Sequence, residues 1–312
     1  MKITVMGAGA MGCIFGGYLQ EAGEDVWLIH HSDSWVREID QRGLILDFGT
    51  SRKIIRSKST TRVADAGIAD LVLLFTRSYD TASAAQEARP LIGPDTYVLT
   101  VQNGLGNVAA IQNATGVNRI IYGTTTVGGL ATGPGEVRVD SPPGPGAVTF
   151  IGESQHQKSE MLIETSRVFN RAGIPTEIPD DIDQRVWTKV AMASGIGMVA
   201  ALTGLKVGDL IDLDQGRELL ALITAETAEI ARRQGIRLDN RIILEMIISH
   251  ALGSRDHVSS MLLAFREKKR TEAGSLNGAL VAEAERLGLS APANKVVALL
   301  VSIIENTYAQ RI

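Results

Sequence analysis

The chain has 312 residues, a net charge of −4 and 45% apolar residues. This length allows two domains, each with a full hydrophobic core. Acidic and basic residues are interspersed, so the sequence lacks the basic face that nucleic acids require, and we exclude nucleic acid as a partner. The only cysteine, Cys13, has no disulfide partner and no CxxC spacing. That argues against structural zinc or another metal site and favours a reducing, cytoplasmic compartment.

No segment is typical of a signal peptide or a membrane span. Glycines interrupt the apolar run of the N-terminal segment MKITVMGAGAMG. No uncharged apolar stretch of about 18 residues follows it. The sequence therefore predicts a protein that neither crosses nor binds a membrane.

Short β-rich runs alternate with helical patterns through the first half of the chain. The runs lie at 2–7, 25–30, 70–76, 97–102 and 119–127, and helical patterns include 10–22 and 79–90. Buried parallel strands joined by helices give this alternation, so we predict a doubly wound α/β domain of the Rossmann type over 1–180. Further strands are predicted at 136–140, 147–152 and 174–179, with a hairpin-like loop between the first two.

The second half changes to helical spacing of apolar residues, and the boundary lies near 179–183. Helices are predicted at 186–203, 216–235, 239–252, 256–287 and 292–309. We therefore predict an all-helical domain over 181–312. Leu276, Leu280 and Leu287 should fill its core first, and any surplus apolar surface could form a homodimer interface.

A glycine-rich loop opens the chain directly after the first predicted strand. Gly7, Gly9 and Gly12 complete G-x-G-x-x-G, with Ala10 and Met11 opening the following helix. In this context the glycines allow a tight turn, close approach to a pyrophosphate and close helix–strand packing. The helix N-terminus offers N–H groups to the phosphates. The loop predicts a dinucleotide site, although a glycine-rich turn without a ligand is the alternative.

The tip of the second strand indicates which dinucleotide binds. A carboxylate at this tip usually accepts the ribose hydroxyls of NAD, whereas cations and donors suit the 2′-phosphate of NADP. Here the tip carries His30, His31 and Ser32, and Asp33 follows in the loop. We predict NADP(H) as the preferred cofactor, bound by His31 and Ser32. NAD(H) remains the alternative because of Asp33, and the histidines could also be solvated loop residues.

Several motifs in order along the whole chain resemble the ketopantoate reductase family. They are KITVMGAGAMG (2–12), VQNGLGN (101–107), GTTT (123–126), VWTK (186–189) and SSMLLAFREKKRTE (259–272). This resemblance implies an N-terminal Rossmann domain, a C-terminal helical domain and an active site between them. It also implies a nicotinamide cofactor and a small 2-oxo acid or ketone as substrate.

Lys189 is the candidate proton donor. Hydride transfer to a ketone leaves negative charge on its oxygen, which requires a proton donor or a cation there. Lys189 lies in a segment of small and apolar residues. Lost hydration would lower the pKa of its ammonium group and make it a better acid near neutral pH. The resemblance likewise implies that Lys189 is the general acid.

The resemblance assigns further roles by matching positions. Asn103 corresponds to an asparagine that contacts the cofactor and substrate, Glu272 to an acidic residue near the lysine, and Ser260 to a serine that binds the substrate carboxylate. Arg77 stands where the family usually has a lysine near the cofactor. On the residues alone, Asn103 could cap a turn, Ser260 could be a helix-surface hydroxyl and Glu272 could pair with Lys268 at i−4.

Five positions depart from the family pattern, two of them Leu263 and Ala264, which replace the Gln-Asp that often follows SSML. Ala193 and Gly197 follow Lys189 at four and eight residues, where the family usually has asparagines that bind the substrate. His257 replaces another customary asparagine; it could bind substrate or cap a helix that begins near Asp256. Losing polar groups removes recognition of a substrate hydroxyl. Ala193 and Gly197 therefore favour a bulkier or less hydroxylated substrate.

The sequence supports two hypotheses of different classes. The first is an NAD(P)H-dependent oxidoreductase with Lys189 and Glu272 as catalytic residues. Its best named activity is 2-dehydropantoate 2-reductase, a step of pantothenate biosynthesis, and its alternative is a reductase of a bulkier or less hydroxylated ketone. The second is a catalytically silent dinucleotide-binding sensor. Retention of Lys189, Ser260 and Glu272 at the family spacing favours the enzyme.

Overall fold

The structure is a computed structural model that describes residues 1–310. Its contacts divide the chain into two compact units. The first unit comprises residues 1–102 and 107–182, and the second comprises residues 103–106 and 183–312. The short segment 103–106 therefore clusters with the helical part of the chain although it is flanked by strands and helices of the first unit.

Twelve strands lie in the first unit. They are β1 (Lys2–Met6), β2 (Asp25–Ile29), β3 (Leu44–Asp47), β4 (Arg52–Ile55), β5 (Lys58–Thr60), β6 (Leu71–Leu74), β7 (Tyr97–Thr100), β8 (Ile120–Thr125), β9 (Gly128–Gly133), β10 (Glu136–Ser141), β11 (Thr149–Glu153) and β12 (Thr176–Glu177). Five helices connect them: α1 (Ala10–Glu21), α2 (Asp33–Arg42), α3 (Thr81–Glu87), α4 (Asn107–Thr115) and α5 (Glu160–Arg171).

An eight-stranded sheet forms the centre of the first unit, in the order β12-β11-β8-β7-β6-β1-β2-β5. All neighbours are parallel except β11, which runs antiparallel to β8. The central strands are buried along their length; Ile3, Val5 and Leu73 have no exposed surface. Uniformly apolar strands of this kind need helices on both faces. The predicted doubly wound α/β domain is confirmed.

A second sheet of four strands, in the order β4-β3-β10-β9, packs against α1. The predicted hairpin between 136–140 and 147–152 is wrong, because the two segments belong to different sheets. β10 pairs with β3 in parallel and with β9 antiparallel, whereas β11 pairs with β8 and β12. The proline- and glycine-rich residues between β10 and β11 therefore connect two sheets.

The described residues from Ile182 to Asn306 form helices joined by short connections, as predicted. Its elements are α6 (Ile182–Met192), a π-turn (Ala193–Gly197), α7 (Met198–Thr203), α8 (Val207–Asp212), α9 (Asp214–Arg233), α10 (Asn240–Gly253), α11 (Ser260–Arg266), α12 (Asn277–Arg286) and α13 (Pro292–Asn306). Leu276 and Leu280 are fully buried in its core, as expected, and Leu287 is half-buried. The last helix, α13, leaves four large apolar side chains exposed: Val296, Leu299, Leu300 and Ile303.

The single helix predicted over 256–287 is wrong, because residues 267–276 separate α11 from α12. Lys268 adopts a left-handed conformation with φ of 54°, which no helix continues through. Thr271 then donates from its main-chain N and its Oγ1 to Glu305 Oε1 of α13, both at 2.7 Å. Glu305 thus gives the main-chain N–H of Thr271 the hydrogen-bond partner that a continuous helix would otherwise supply.

One stretch of the described residues, 182–203, is long and apolar enough to cross a membrane by length and composition. Of its most apolar window, 61% is buried inside the protein. Burial of this extent is typical of a core helix in a helical bundle.

Candidate active site

The glycine loop between β1 and α1 has the geometry of a dinucleotide cradle. Gly7 has a φ of +94°, and a Cβ there would lie 2.8 Å from Thr76 N. A Cβ at Gly12 would collide with Gly7 O and would lie 2.9 Å from Val5 Cγ1. A Cβ at Gly9, in contrast, would meet nothing within 4 Å. The first and third glycines thus serve packing, and the second leaves open space.

That open space lies at the N-terminus of α1, which extends over twelve residues. Gly9 is the N-cap and supplies no side-chain acceptor, and the first internal bond runs from Cys13 N to Gly9 O. The N–H groups of Ala10, Met11 and Gly12 are therefore available to an anion, and the helix dipole favours one. The loop therefore has a main-chain geometry that suits a pyrophosphate, the ligand that its sequence predicts.

The tip of β2 carries a stack of aromatic rings. His30 stacks on His31 with ring centroids 4.4 Å apart and on Trp35 at 4.6 Å. Burial, and next the charge of His31, lower the pKa of His30 to about 4. Its Nδ1 accepts from Ser32 N at 3.1 Å. His30 is therefore neutral at pH 7 and cannot attract a phosphate by charge.

The residues after His30 remain accessible. His31 is exposed, and Ser32 is the N-cap of α2. Its hydroxyl makes no capping bond but lies 2.8 Å from Ser34 Oγ. Asp33 Oδ1 accepts from Thr61 Oγ1 at 3.2 Å. The tip thus presents hydroxyl and imidazole donors together with one carboxylate already engaged by a threonine.

A network around Gln102 joins the ends of β6 and β7, and no sequence pattern revealed it. Gln102 Nε2 donates to Thr76 O at 2.6 Å, and Gln102 Oε1 accepts from Thr100 Oγ1 at 2.7 Å. Thr81 Oγ1 lies within 3.0 Å of the same amide nitrogen. The carboxyl ends of parallel strands are where ligands bind in this fold. Exposed Arg77, a predicted cofactor contact, follows the anchored Thr76.

Lys189 lies in the last turn of α6 and is half-buried. Burial lowers the pKa of its ammonium group. Within residues 1–310 its Nζ has no hydrogen bond and no ion pair, so no carboxylate offsets the lost hydration. A desolvated, unpaired lysine of this kind is a strong proton donor and is typical of a functional site.

Asn103 and Glu272 meet within the second unit, where Asn103 Nδ2 donates to a Glu272 oxygen at 3.3 Å. Glu272 is buried, with 5% of its surface exposed. It lies in the irregular segment before α12, so the i−4 pairing with Lys268 considered from the sequence has no helix to support it. The neighbouring Leu105 N donates to Ser275 O at 2.8 Å. The segment 103–106 is thereby fastened to the residues around Glu272.

The serine pair before α11 differs from the prediction. Ser260 is the exposed first residue of that helix. Ser259 is its N-cap, is buried, and donates its hydroxyl to Gly197 O at 2.8 Å. The serine in contact with the lysine-bearing helix is therefore Ser259, which the sequence could not distinguish from its neighbour. His257 does not cap this helix, contrary to one alternative.

His250, in the last turn of α10, was not predicted as a site residue. Its pKa is lowered by burial, then by the positive charges of Lys189 and His257. These three groups therefore interact electrostatically in one region of the helical unit. Because its pKa is lowered from the ordinary value, His250 is neutral at pH 7 and offers a ligand a hydrogen bond and not a charge. Among residues 1–310 no three His, Cys, Asp or Glu side chains are arranged to hold a metal ion.

Ala193 and Gly197 leave the side of the helix next to Lys189 without polar groups. Both are partly exposed, whereas Ser194, Gly195 and Ile196 between them are buried. A Cβ at Gly197 would meet only Met192 O, at 3.9 Å. Position 197 therefore has room for a larger side chain.

The parallel sheet, the glycine cradle and the desolvated lysine define a class: NAD(P)-dependent oxidoreductases that act on CH–OH or ketone groups. The family model "Ketopantoate reductase PanE/ApbA" matches residues 3–154, and its C-terminal counterpart matches residues 181–305. The chain belongs to the ketopantoate reductase family, as its motifs suggested. Its cofactor is a nicotinamide dinucleotide.

Similar proteins and solved structures support this family assignment. A 2-dehydropantoate 2-reductase of Pyrococcus horikoshii is 35% identical over 98% of both chains. A ketopantoate reductase family structure from Ralstonia eutropha JMP134 has a TM-score of 0.89 and 28% identity, covering 99% of this chain and 100% of that one. A D-mandelate dehydrogenase bound to NADH and anilino(oxo)acetate has a TM-score of 0.91 at 22% identity, with the same coverage. The last likeness concerns the fold alone.

Proposed function

We propose that this enzyme reduces the carbonyl of a small 2-oxo acid, with Lys189 as the proton donor and NADPH as the preferred cofactor. The observation that carries the proposal is the desolvated ammonium of Lys189, which has no carboxylate partner among the described residues. An acid that is neither paired nor fully hydrated can give its proton to an oxygen that gains negative charge. Residues 1–180 would hold the cofactor, and residues 181–312 would supply most of the catalytic groups.

The bound nicotinamide supplies a hydride to the carbonyl carbon. Lys189 Nζ donates a proton to the carbonyl oxygen as that oxygen becomes an alkoxide. Glu272 accepts a hydrogen bond from the Asn103 amide. That bond fixes which way the amide points, so Asn103 is held ready to orient the substrate. His257, with His250 beside it, and Ser260 are available to the substrate carboxylate.

The substrate is either 2-dehydropantoate or a bulkier, less hydroxylated 2-oxo acid. The names of the relatives support the first. The second is supported by Ala193 and Gly197, which offer no hydrogen-bond partner for a terminal hydroxyl. A buried hydroxyl without a partner costs on the order of 1–3 kcal/mol, so the two positions should weaken selection for 2-dehydropantoate.

The preference for NADPH rests on the tip of β2. His31 and the hydroxyls of Ser32 and Ser34 surround the N-terminus of α2, where an anion is favoured. The neighbouring carboxylate of Asp33 already accepts a hydrogen bond from Thr61. These donors suit a 2′-phosphate better than a pair of ribose hydroxyls.

A substrate panel tests the proposal. Oxidation of NADPH and of NADH is followed with 2-dehydropantoate, 2-oxoisovalerate and phenylglyoxylate, for the wild type and for Lys189→Ala. We expect turnover of at least one acid and its loss in the variant, with cofactor affinity unchanged. Cofactor binding without turnover of any carbonyl would instead favour the silent sensor. Equal turnover by Lys189→Ala would remove the lysine from its role.

A further inference from the structure

The helix that carries Lys189 changes its pitch four residues further on. Residues 193–197 form a π-turn, and Met198 N donates to Ala193 O, five residues back. A single π-turn within an α-helix requires stabilisation from outside the helix and is common at functional sites. Nothing in the small residues Ala-Ser-Gly-Ile-Gly enforces the wider turn by itself.

The wider turn changes which residues share a face with Lys189. A regular helix rotates by about 100° per residue, so position 197 would lie roughly 80° away from Lys189 around the axis. A π-turn rotates less per residue. It therefore brings Gly197 back towards the side on which Lys189 lies, while Ser194, Gly195 and Ile196 remain buried.

Two side chains outside the helix hold the turn by its carbonyl groups. Asn277 Nδ2, at the start of α12, donates to Ser194 O at 3.1 Å. Ser259 Oγ, at the N-cap of α11, donates to Gly197 O at 2.8 Å. Both side chains are buried, Asn277 completely. Two elements distant in the chain therefore fix the two ends of one five-residue turn.

The orientation of the Asn277 amide is set by a chain of hydrogen bonds that runs from the half-buried Glu226 to the buried Asn294 and Asn277. Glu226 can only accept, and it accepts from Asn294 Nδ2 at 2.8 Å and from Asn294 N at 3.0 Å. Asn294 Oδ1 must therefore face the other way, where it accepts from Asn277 Nδ2 at 2.9 Å. The second hydrogen on that nitrogen is left for Ser194 O. A carboxylate on α9 thus determines a donor to the lysine-bearing helix.

We propose that Asn277 and Ser259 are positioning residues that maintain the π-turn and thereby set the direction of Lys189 and Gly197 towards the substrate. The proposal rests on the proposed function, in which Lys189 donates the proton. Neither residue needs to touch the substrate. Glu226 and Asn294 act through Asn277.

The experiment compares Asn277→Leu, Ser259→Asp and Ser259→Thr with the wild type. Leucine keeps the branched shape of asparagine but removes the donor to Ser194 O. Aspartate keeps an acceptor for Leu262 N, which Ser259 Oγ caps at 3.1 Å, but it has no hydrogen to donate to Gly197 O. Threonine retains both functions. Glu226→Gln is a milder variant that leaves every contact of Lys189 intact but no longer fixes the orientation of the amides.

We expect kcat to fall roughly tenfold to a hundredfold in Asn277→Leu and Ser259→Asp, because small displacements of a reacting group cost that much. Ser259→Thr should keep the wild-type kcat. The kcat of Glu226→Gln should lie between those of the wild type and Asn277→Leu. The dissociation constant of NADPH should stay within about twofold, since its predicted site lies in the first unit.

A second measurement does not require turnover. Reductive ¹³C-methylation labels the lysines, Lys189→Arg identifies the signal of Lys189, and an NMR titration gives its pKa. We expect that pKa to rise towards an ordinary lysine value in Asn277→Leu and Ser259→Asp as the loosened turn admits water. Folded variants with unchanged kcat and unchanged Lys189 pKa would overturn the positioning role. If Lys189→Ala retained turnover, the proposed function would fail, and the titration would still decide whether the turn positions the lysine.

Discussion

The two regions that carry the predicted site residues are built differently, one from main-chain atoms and the other from side chains. The cradle in the first unit is built from main-chain atoms, with Gly7, Gly9 and Gly12 shaping the space and N–H groups facing it. The region around Lys189 is built from side chains carried by several helices and a loop. A main-chain site accepts little change in sequence, whereas a side-chain site can lose one polar group and keep the rest. The contrast fits a chain that keeps the family's glycine loop and lysine while Ala193 and Gly197 stand where the family usually has asparagines.

The largest expected effect is on the pH dependence of reduction. In the proposed function Lys189 donates the proton, so its pKa sets that dependence, and the cradle of the first unit does not contribute to it. The lysine acts in its protonated form, and burial lowers its pKa in the folded enzyme. The rate of the chemical step should therefore fall by about tenfold for each pH unit above that lowered pKa. Single-turnover reduction across a pH series measures it. A rate that stays flat up to the ordinary range of lysine would contradict this assignment.

Two glycine substitutions separate packing from ligand contact in the cradle. Gly12→Ala places a methyl group against Gly7 O and Val5, so it should cost about 1–3 kcal/mol of stability and weaken NADPH binding. Gly9→Ala has free space and should leave the melting temperature unchanged while weakening NADPH binding roughly tenfold. Thermal unfolding and cofactor titration of both variants check this. Equal cofactor affinity in Gly9→Ala and the wild type would mean that the open space is not the pyrophosphate site.

Gly197→Asn tests the region around Lys189 by returning one polar side chain to it. The position has room for a Cβ. One recovered hydrogen bond is worth about 1 kcal/mol, so kcat/KM for 2-dehydropantoate should improve roughly fivefold relative to 2-oxoisovalerate, which lacks the hydroxyl. Ser302→Asn, on the exposed side of α13, is the matched control. An unchanged ratio would show that the substrate hydroxyl does not reach residue 197.

His31→Ala should produce the smallest effect, since a polar contact made by an exposed side chain contributes little in water. The preference for NADPH over NADH should fall roughly threefold. Affinities for both cofactors, measured at two salt concentrations, check this. The pyrophosphate is common to both, so a larger salt dependence for NADPH than for NADH reports the 2′-phosphate contact. His156→Ala, on a loop before α5, is a control. Equal losses for NADH and NADPH would argue against a contact with the 2′-phosphate.

Sequence patterns predicted the features that depend on periodicity. The apolar runs of β1, β2 and β6 were recognised because strands buried on both faces are uniformly apolar. The hairpin was mispredicted because β9, a partner of β10, is the glycine-rich segment Gly128–Gly133, which carries no strand signal. The other partner, β3, lies about ninety residues earlier in the chain, and pairing at such a distance leaves no local trace.

The region around Lys189 was harder to predict, because its contacts also join residues that are far apart in the chain. Lys189 was recognisable because a charge in an apolar helix is unusual. Ser259 and Ser260 are adjacent, and only the position of the helix start decides which of them reaches Gly197. The π-turn depends on Asn277, more than eighty residues away. His250 joins Lys189 only through the packing of α10, so no spacing in the sequence revealed it.

The segment 103–106 affects where the junctions of a chimera between two members of this family should be placed. Asn103 precedes α4 in the chain, yet it clusters with the helical unit and donates to Glu272. A chimera joined at residue 180 would take Asn103 from one parent and Glu272 from the other. Exchanging the predicted substrate contacts between two such enzymes therefore requires three crossovers, one near 180 and two that bound a four-residue graft at the turn after β7.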